Sequence, residues 1–172
     1  MQTLQRIFLL LLTLCWFAGC GYHLPPVAGQ SGQAEVKTIN IPIFANKTFK
    51  TNLEAQLVNS LVDEFSLRRN FRVISRQDAD LTLSGTVLSY GIAPISYTAA
   101  DTVREYRAAI TAEAVLRQTN TQKVLWKGVV SWSQDYPVNV DIAKQQNSED
   151  AAIREISRRL AQQIYLRVAD DF

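Results

Sequence analysis

The sequence predicts an α+β fold: two helices packed on one face of a mostly antiparallel, mixed four-stranded sheet, a two-layer sandwich. Three observations predict it. Leu53, Leu57, Leu61 and Phe65 recur every fourth residue, and Ile153, Ile156, Leu160, Ile164 and Val168 recur at steps of three and four, which gives two helices with one apolar stripe each. Between them lie long stretches of period-two alternation, which give strands. The order strand, helix, several strands, helix then sets the class.

The first strand is expected over Val36 to Phe44, with Ile39, Ile41 and Ile43 on one face and Pro42 marking an edge position or an early end. After the Asn46-Lys47-Thr48 loop, Thr51 and Glu54 have the spacing of a capping box, so a helix is expected over Asn52 to Arg68. Val58 and Val62 widen its stripe, and Glu54, Gln56, Asn59 and Asp63 form the opposite face. Phe71-Arg72-Val73-Ile74 reads as a short strand, and Leu81, Leu83, Gly85 and Val87 alternate with Thr82, Ser84 and Thr86 in a half-buried one. Gly91 and Pro94 interrupt that pattern, so Gly91 to Tyr97 is expected to be a loop that packs on something.

Val103 to Arg117 is rich in alanine, yet period two wins: Tyr106, Ala108, Ile110, Ala112, Ala114 and Leu116 share a face, and the alanines there leave room for a helix. Asn120-Thr121-Gln122 reads as a hairpin connection, followed by Val124, Trp126, Gly128, Val130 and Trp132 on one face. The tryptophans are more often core at this spacing than a sugar-stacking or membrane-interface patch. The last helix is expected over Ser148 to Val168.

The N-terminal residues read as a secretory signal, with Arg6 as the positive region and Ile7 to Phe17 as an apolar run broken only by Thr13. That run is shorter than the roughly 20 residues a membrane-crossing helix needs. Phe17-Ala18-Gly19-Cys20 places small residues directly before a cysteine, the pattern cut by lipoprotein signal peptidase, with Phe17 standing where leucine is usual. The expected organisation is a signal peptide over 1–19, a lipidated N-terminus and flexible tether over 20–34 rich in Gly and Pro, and one domain over 35–172. Lipidation, palmitate included, falls on Cys20, and three acyl chains at ~0.8 kcal/mol per methylene make a permanent anchor.

Cys15 leaves with the signal and Cys20 is consumed by lipid, so no thiol pair remains to oxidise. Removing Arg6 from 18 basic residues leaves 17 against 16 acidic ones, a nearly neutral chain without the basic stripe that nucleic acid requires. The single histidine, His23, lies in the tether, and the sequence has no zinc spacing and no phosphate-cradling glycine loop, so catalysis by His, Cys or metal and any cofactor are not expected. Asp78 with Asp80, or Asp135 with Asp141, could form a carboxylate pair, but turn and strand-entrance hydrogen bonds account for them better. On the sheet face away from the helices, Arg107, Arg117 and Lys127 are candidates for contacting a phosphorylated amphiphile. Glu105 and Glu113 share their strand face, which favours a solvated surface of mixed sign.

The residues Cys20-Gly21-Tyr22-His23-Leu24, the segment IPIFANKT over Ile41 to Thr48, Glu64-Phe65 with Arg68 before Phe71-Arg72-Val73, Ala79-Asp80-Leu81 with Gly85, Glu105-Tyr106-Arg107, Val124-Leu125-Trp126 and Tyr136 occur in an order that resembles the lipopolysaccharide-assembly lipoprotein family LptE over nearly the whole chain. Each motif is short; their order and spacing carry the resemblance. It implies a non-enzymatic, two-helix, mixed-sheet domain seated in the lumen of the outer-membrane β-barrel LptD, taking part in barrel assembly and in lipopolysaccharide transport to the outer leaflet. Of the family's site residues only Cys20 carries over. Gly21 is not the aspartate that retains a lipoprotein in the inner membrane, so outer-membrane placement on the periplasmic side follows by analogy. The segment carrying Ile92, Ile95 and Tyr97 is the candidate barrel contact. The alternatives are a pilotin-like adaptor for another outer-membrane complex such as a secretin and, third, an enzyme acting on cell-wall or lipid substrates.

Overall fold

In the computed structural model the described residues are 36–68, 70–76 and 78–170. The expected signal over 1–19 and the expected lipidated Cys20 and tether over 20–34 lie outside them. The element order is β1 (Lys37–Asn40), β2 (Ala45–Asn46), α1 (Leu53–Leu67), β3 (Phe71–Val73), β4 (Leu81–Tyr97), β5 (Val103–Gln118), β6 (Val124–Pro137) and α2 (Ile142–Ala169). The class is the one the sequence predicts, with a six-stranded sheet in place of a four-stranded one. Its order is β3-β1-β4-β5-β6, with β2 also pairing β4.

Two kinds of pairing meet at β4. β1 runs parallel to both β3 and β4, and β2 is also parallel to β4, whereas β4, β5 and β6 form an antiparallel meander. β1, α1 and β3 therefore make a βαβ unit joined edge-on to the meander. The first strand is shorter than expected. It stops at Asn40, because Pro42 has no N–H to add to a ladder, and the chain leaves the row before β2 re-forms it. Ile39, Ile41 and Phe44 are buried while Ile43, expected on their face, is 63% exposed.

Both helices lie on the same face. Leu53, Leu57, Leu61 and Phe65 of α1 and Ile153, Ile156, Leu160, Ile164 and Val168 of α2 are fully buried against Leu83, Val87, Ala108, Ala112, Ala114 and Leu116. Each of the Leu, Ile, Val and Phe side chains among these contributes ~1.5–3 kcal/mol by leaving water. Phe65 and Tyr165 meet edge to face at 5.1 Å, and Phe71 lies 5.5 Å from Phe65, which locks the helix pair to β3.

The capping box does not form. Asn52 takes the N-cap position in the left-handed region (φ 66°) without a side-chain cap, and Glu54 instead accepts from the Asn46 amide at 2.7 Å. The second helix starts six residues before the expected Ser148, where the Asp141 carboxylate accepts from the Lys144 backbone N–H at 3.1 Å. The hairpin expected at Asn120-Thr121-Gln122 forms, its turn spanning 119–122, but a bulge at Leu125 puts Val124 opposite Arg117 and off the core face. Trp126 is half-buried, and Trp132, partly exposed at the sheet rim, lies 5.7 Å beneath the Arg159 guanidinium.

Gly91 to Tyr97, expected as a loop, is strand: β4 continues through it, paired with β5 as far as Tyr97 opposite Val103. Gly91 and Pro94 are compatible with this because Pro94 directs its backbone away from β5, where no N–H is required. Bulges at Leu88 and Ile95 absorb the two breaks in alternation.

Candidate functional site

Side chains of β4 to β6 alternate between the helix-covered face and an open one. On the open face the antiparallel register sets Arg107 opposite Asp135, and the guanidinium grips the carboxylate with two bonds of 2.6 and 2.8 Å. That pairing raises the Arg107 pKa and holds the Asp135 carboxyl below its ordinary value. Glu113 lies opposite Val129, one diagonal step from Lys127, and the two charges meet at 2.9 Å. Arg117 donates to the Ser84 hydroxyl at 3.2 Å. All three basic residues singled out in sequence thus share one face, but they are spread along it: ten residues of strand separate Arg107 from Arg117, about 34 Å at ~3.4 Å per residue. They do not converge on one ligand. The surface is the mixed-sign ladder that Glu105 and Glu113 foreshadowed, and Glu105 itself accepts from the Ser96 hydroxyl at 2.9 Å. Asp135 as the partner of Arg107 was readable from the hairpin, since counting back from 120–122 sets these two positions opposite each other; the diagonal contact of Glu113 with Lys127 was not.

The candidate carboxylate pairs are likewise occupied. Asp80 accepts from both the N–H and the hydroxyl of Thr38 at 2.8 and 2.7 Å, and these bonds lower its pKa while tying β1 to the start of β4. Asp78 pairs with Arg76 at 2.9 Å. Asp141 caps α2. A groove of about 290 Å³ between β6 and α2 is lined by Asp135, Tyr136, Ser148, Ala152 and Glu155, but Asp135 is engaged by Arg107, and Glu155 by Arg158 and Arg159. Among the described residues no group of three or more His, Cys, Asp or Glu is placed to hold a metal.

A polar clasp at the mouth of the helix layer has no local signal in the sequence. Glu149 of α2 accepts from Lys50 Nζ and from the Tyr90 hydroxyl, both at 2.7 Å, joining the α1 entry loop, α2 and β4. Burial acts to raise the Glu149 pKa, but the bonds from Lys50 and Tyr90 outweigh it and hold the carboxyl below its ordinary value. Burial, and then the Glu149 carboxylate, push Tyr90 well above the usual phenol range. Burial and the same carboxylate push Tyr136 up to about 12.

Beyond this clasp β4 and β5 extend as an arm. Ile92, Ile95 and Tyr97 lie on it, 42, 36 and 57% exposed, so the apolar residues singled out in sequence come together on a strand end open to solvent. Leu88 to Tyr97 carries no Asp, Glu, Lys or Arg. A methyl group added at Gly91 would meet nothing within 4 Å.

Fold and surface together give a two-layer α+β sandwich with an open face of mixed sign and an arm whose β4 strand is uncharged. The chain belongs to the lipopolysaccharide-assembly family LptE, whose model matches residues 36–168, and so to a non-enzymatic lipoprotein family with a role in lipopolysaccharide assembly. No curated protein sequence matches it. Solved structures similar to it include rare lipoprotein B from Shewanella oneidensis (12% identity, 78% of this chain and 95% of that one, TM-score 0.56). The protein CT253 from Chlamydia trachomatis is similar at 11% identity, over 77% of this chain and 95% of that one, with a TM-score of 0.58. Lipoprotein B from Nitrosomonas europaea matches at 13% identity, over 78% and 85%, with a TM-score of 0.51. At these identities the likeness is one of fold. No helix among the described residues is long and apolar enough to cross a membrane.

Proposed function

We propose that this protein is an outer-membrane lipoprotein, anchored through Cys20 on the periplasmic side, that seats in the lumen of an LptD-like β-barrel, helps assemble it and takes part in delivering lipopolysaccharide to the outer leaflet. The observation that carries the reading is the exposed, uncharged β4 strand of the arm, with Ile92, Ile95 and Tyr97, on a domain of the lipopolysaccharide-assembly family. Contiguous exposed apolar residues mark a contact surface, and a barrel wall would cover them. The self-neutralised open face supports it too, since ion pairs closed within one sheet can approach a second surface with less unpaired charge to desolvate. In this reading lipopolysaccharide contacts by Arg107, Arg117 and Lys127 are separate: among the described residues Arg117 is held by a serine hydroxyl, whereas Arg107 and Lys127 would exchange a carboxylate for a phosphate.

The test is purification of the full-length lipoprotein from outer membranes in mild detergent, with photocrosslinkers at Ile92, Ile95 and Tyr97. A large β-barrel recovered at equal ratio and captured from these positions is the expected result. A secretin in its place would make the protein a pilotin-like adaptor, and a barrel captured only from other positions would remove the arm from the contact.

A further inference from the structure

Among the described residues the sheet has margins at β3, at β6 and along β4 beyond Val87, and the first two are guarded. β3 is three residues long and carries Arg72. On β6 the hydrogen bond from Val138 N–H to Arg104 C=O fixes the parity of the ladder, so odd-numbered residues direct their N–H and C=O outward. There Arg167 covers the Val129 carbonyl at 3.2 Å, the Gln134 amide covers that of Asp135 at 3.2 Å, and Pro137 has no N–H. Charged side chains and proline are the usual means of keeping an edge from recruiting another strand.

The third margin is β4 beyond Val87. Lys47 N–H donates to Val87 C=O at 3.0 Å, and there the chain turns away from the sheet toward α1, leaving its row empty among the described residues. The bond from Thr119 N–H to Asp80 C=O sets the parity on this side. After the bulge at Leu88, Tyr90, Ile92 and Pro94 direct their backbone groups outward, while Ser89, Gly91 and Ala93 pair with β5. Outside Pro94, which closes the stretch, this edge has none of the guards the others carry, and no ionisable side chain except tyrosine from Leu88 to Tyr97.

We propose that the β4 edge at Tyr90 to Pro94 takes an extended segment of the barrel partner as an added strand, continuing the row that β2 vacates. The inference rests on the barrel-partner reading and adds to it a recognition mode, main-chain pairing. The absence of charge on the edge and the exposure of Ile92 select an uncharged occupant with apolar residues at alternate positions.

Amide-resolved hydrogen exchange on the full-length lipoprotein, free in detergent and in the purified complex, tests it. The N–H groups of Tyr90 and Ile92 should slow by about tenfold or more in the complex, while those of Ser131 and Ser133 on the β6 edge keep their free rates. Ile92→Pro, which deletes an outward N–H and no bond to β5, should lower barrel recovery severalfold, and Ser131→Pro should not. A complex that forms with Tyr90 and Ile92 exchanging as in the free protein overturns the strand addition alone. Slowing in the free protein as its concentration rises would assign the edge to a second copy and overturn it as well. Recovery of no barrel would overturn both this inference and the function on which it rests.

Discussion

Replacing Ile92, Ile95 and Tyr97 together by serine should separate binding from folding. Full burial of each side chain is worth ~1.5–3 kcal/mol, and with 42, 36 and 57% of each still exposed, docking can recover about 1 kcal/mol apiece. The triple variant should then lose roughly 3 kcal/mol of affinity for the barrel, about a hundredfold in Kd at ~1.4 kcal/mol per decade. Its own stability should barely move, because exposed substitutions usually cost within ~0.5 kcal/mol each. Competition between tagged wild-type and variant lipoprotein for limiting barrel gives the affinity ratio, and thermal melts of the free proteins give the stability. A variant that melts like wild type and competes within fivefold of it would refute the reasoning, since the arm would then be solvated in the complex.

Gly85→Ala should cost at least ~1–3 kcal/mol in denaturant unfolding, because the new methyl would collide with the Phe44 ring and the backbone carbonyl of Glu113, and the carbonyl cannot rotate away. Leu160→Ala in α2, fully buried, should cost ~2–5 kcal/mol by the same measurement. Asp141→Ala should remove the α2 cap at ~0.5–2 kcal/mol and fray the first turn, seen as faster amide exchange at Lys144. Glu149→Gln should destabilise at pH 7. The folded carboxyl lies below its ordinary value of 4.5, so its stabilisation is present above that value and is lost as the pH falls through the folded pKa. The gap between wild type and variant should therefore shrink below about pH 4, and a gap constant from pH 3 to 7 would show that the clasp contributes no charge-dependent stability.

Elements whose side chains repeat along one face were legible in the sequence. The alanine face of β5 and the stripes of both helices follow from apolar spacing alone and are buried as that spacing requires, and the hairpin follows from the polar Asn120-Thr121-Gln122 break between two alternating runs. Pairing between distant segments was not legible. β1 aligns with Phe71–Val73 on one side and Leu81 on the other, and short parallel strands buried in a sheet leave no period to read. Gly91 and Pro94 looked like breaks because they usually are; at an open edge neither costs a ladder bond. The start of α2 was hidden because Lys144 to Asp150 is polar throughout, and only the Asp141 cap signals it. At the site, residue types were legible but their partners were not, except through hairpin register. Glu149 meets Lys50 across 99 positions of sequence, a distance no local pattern spans.

The position of β1 has a mechanical consequence. The chain that precedes Lys37 enters the sheet between two neighbours parallel to it, not at a rim. A pull on that chain loads the β1 ladders lengthwise, so that several hydrogen bonds must slide at once rather than peel one after another. An anchor attached upstream of Lys37 would thus tug against a shear-resistant seam, and tension from the membrane would reach the rest of the domain before it unravelled the strand on which it acts.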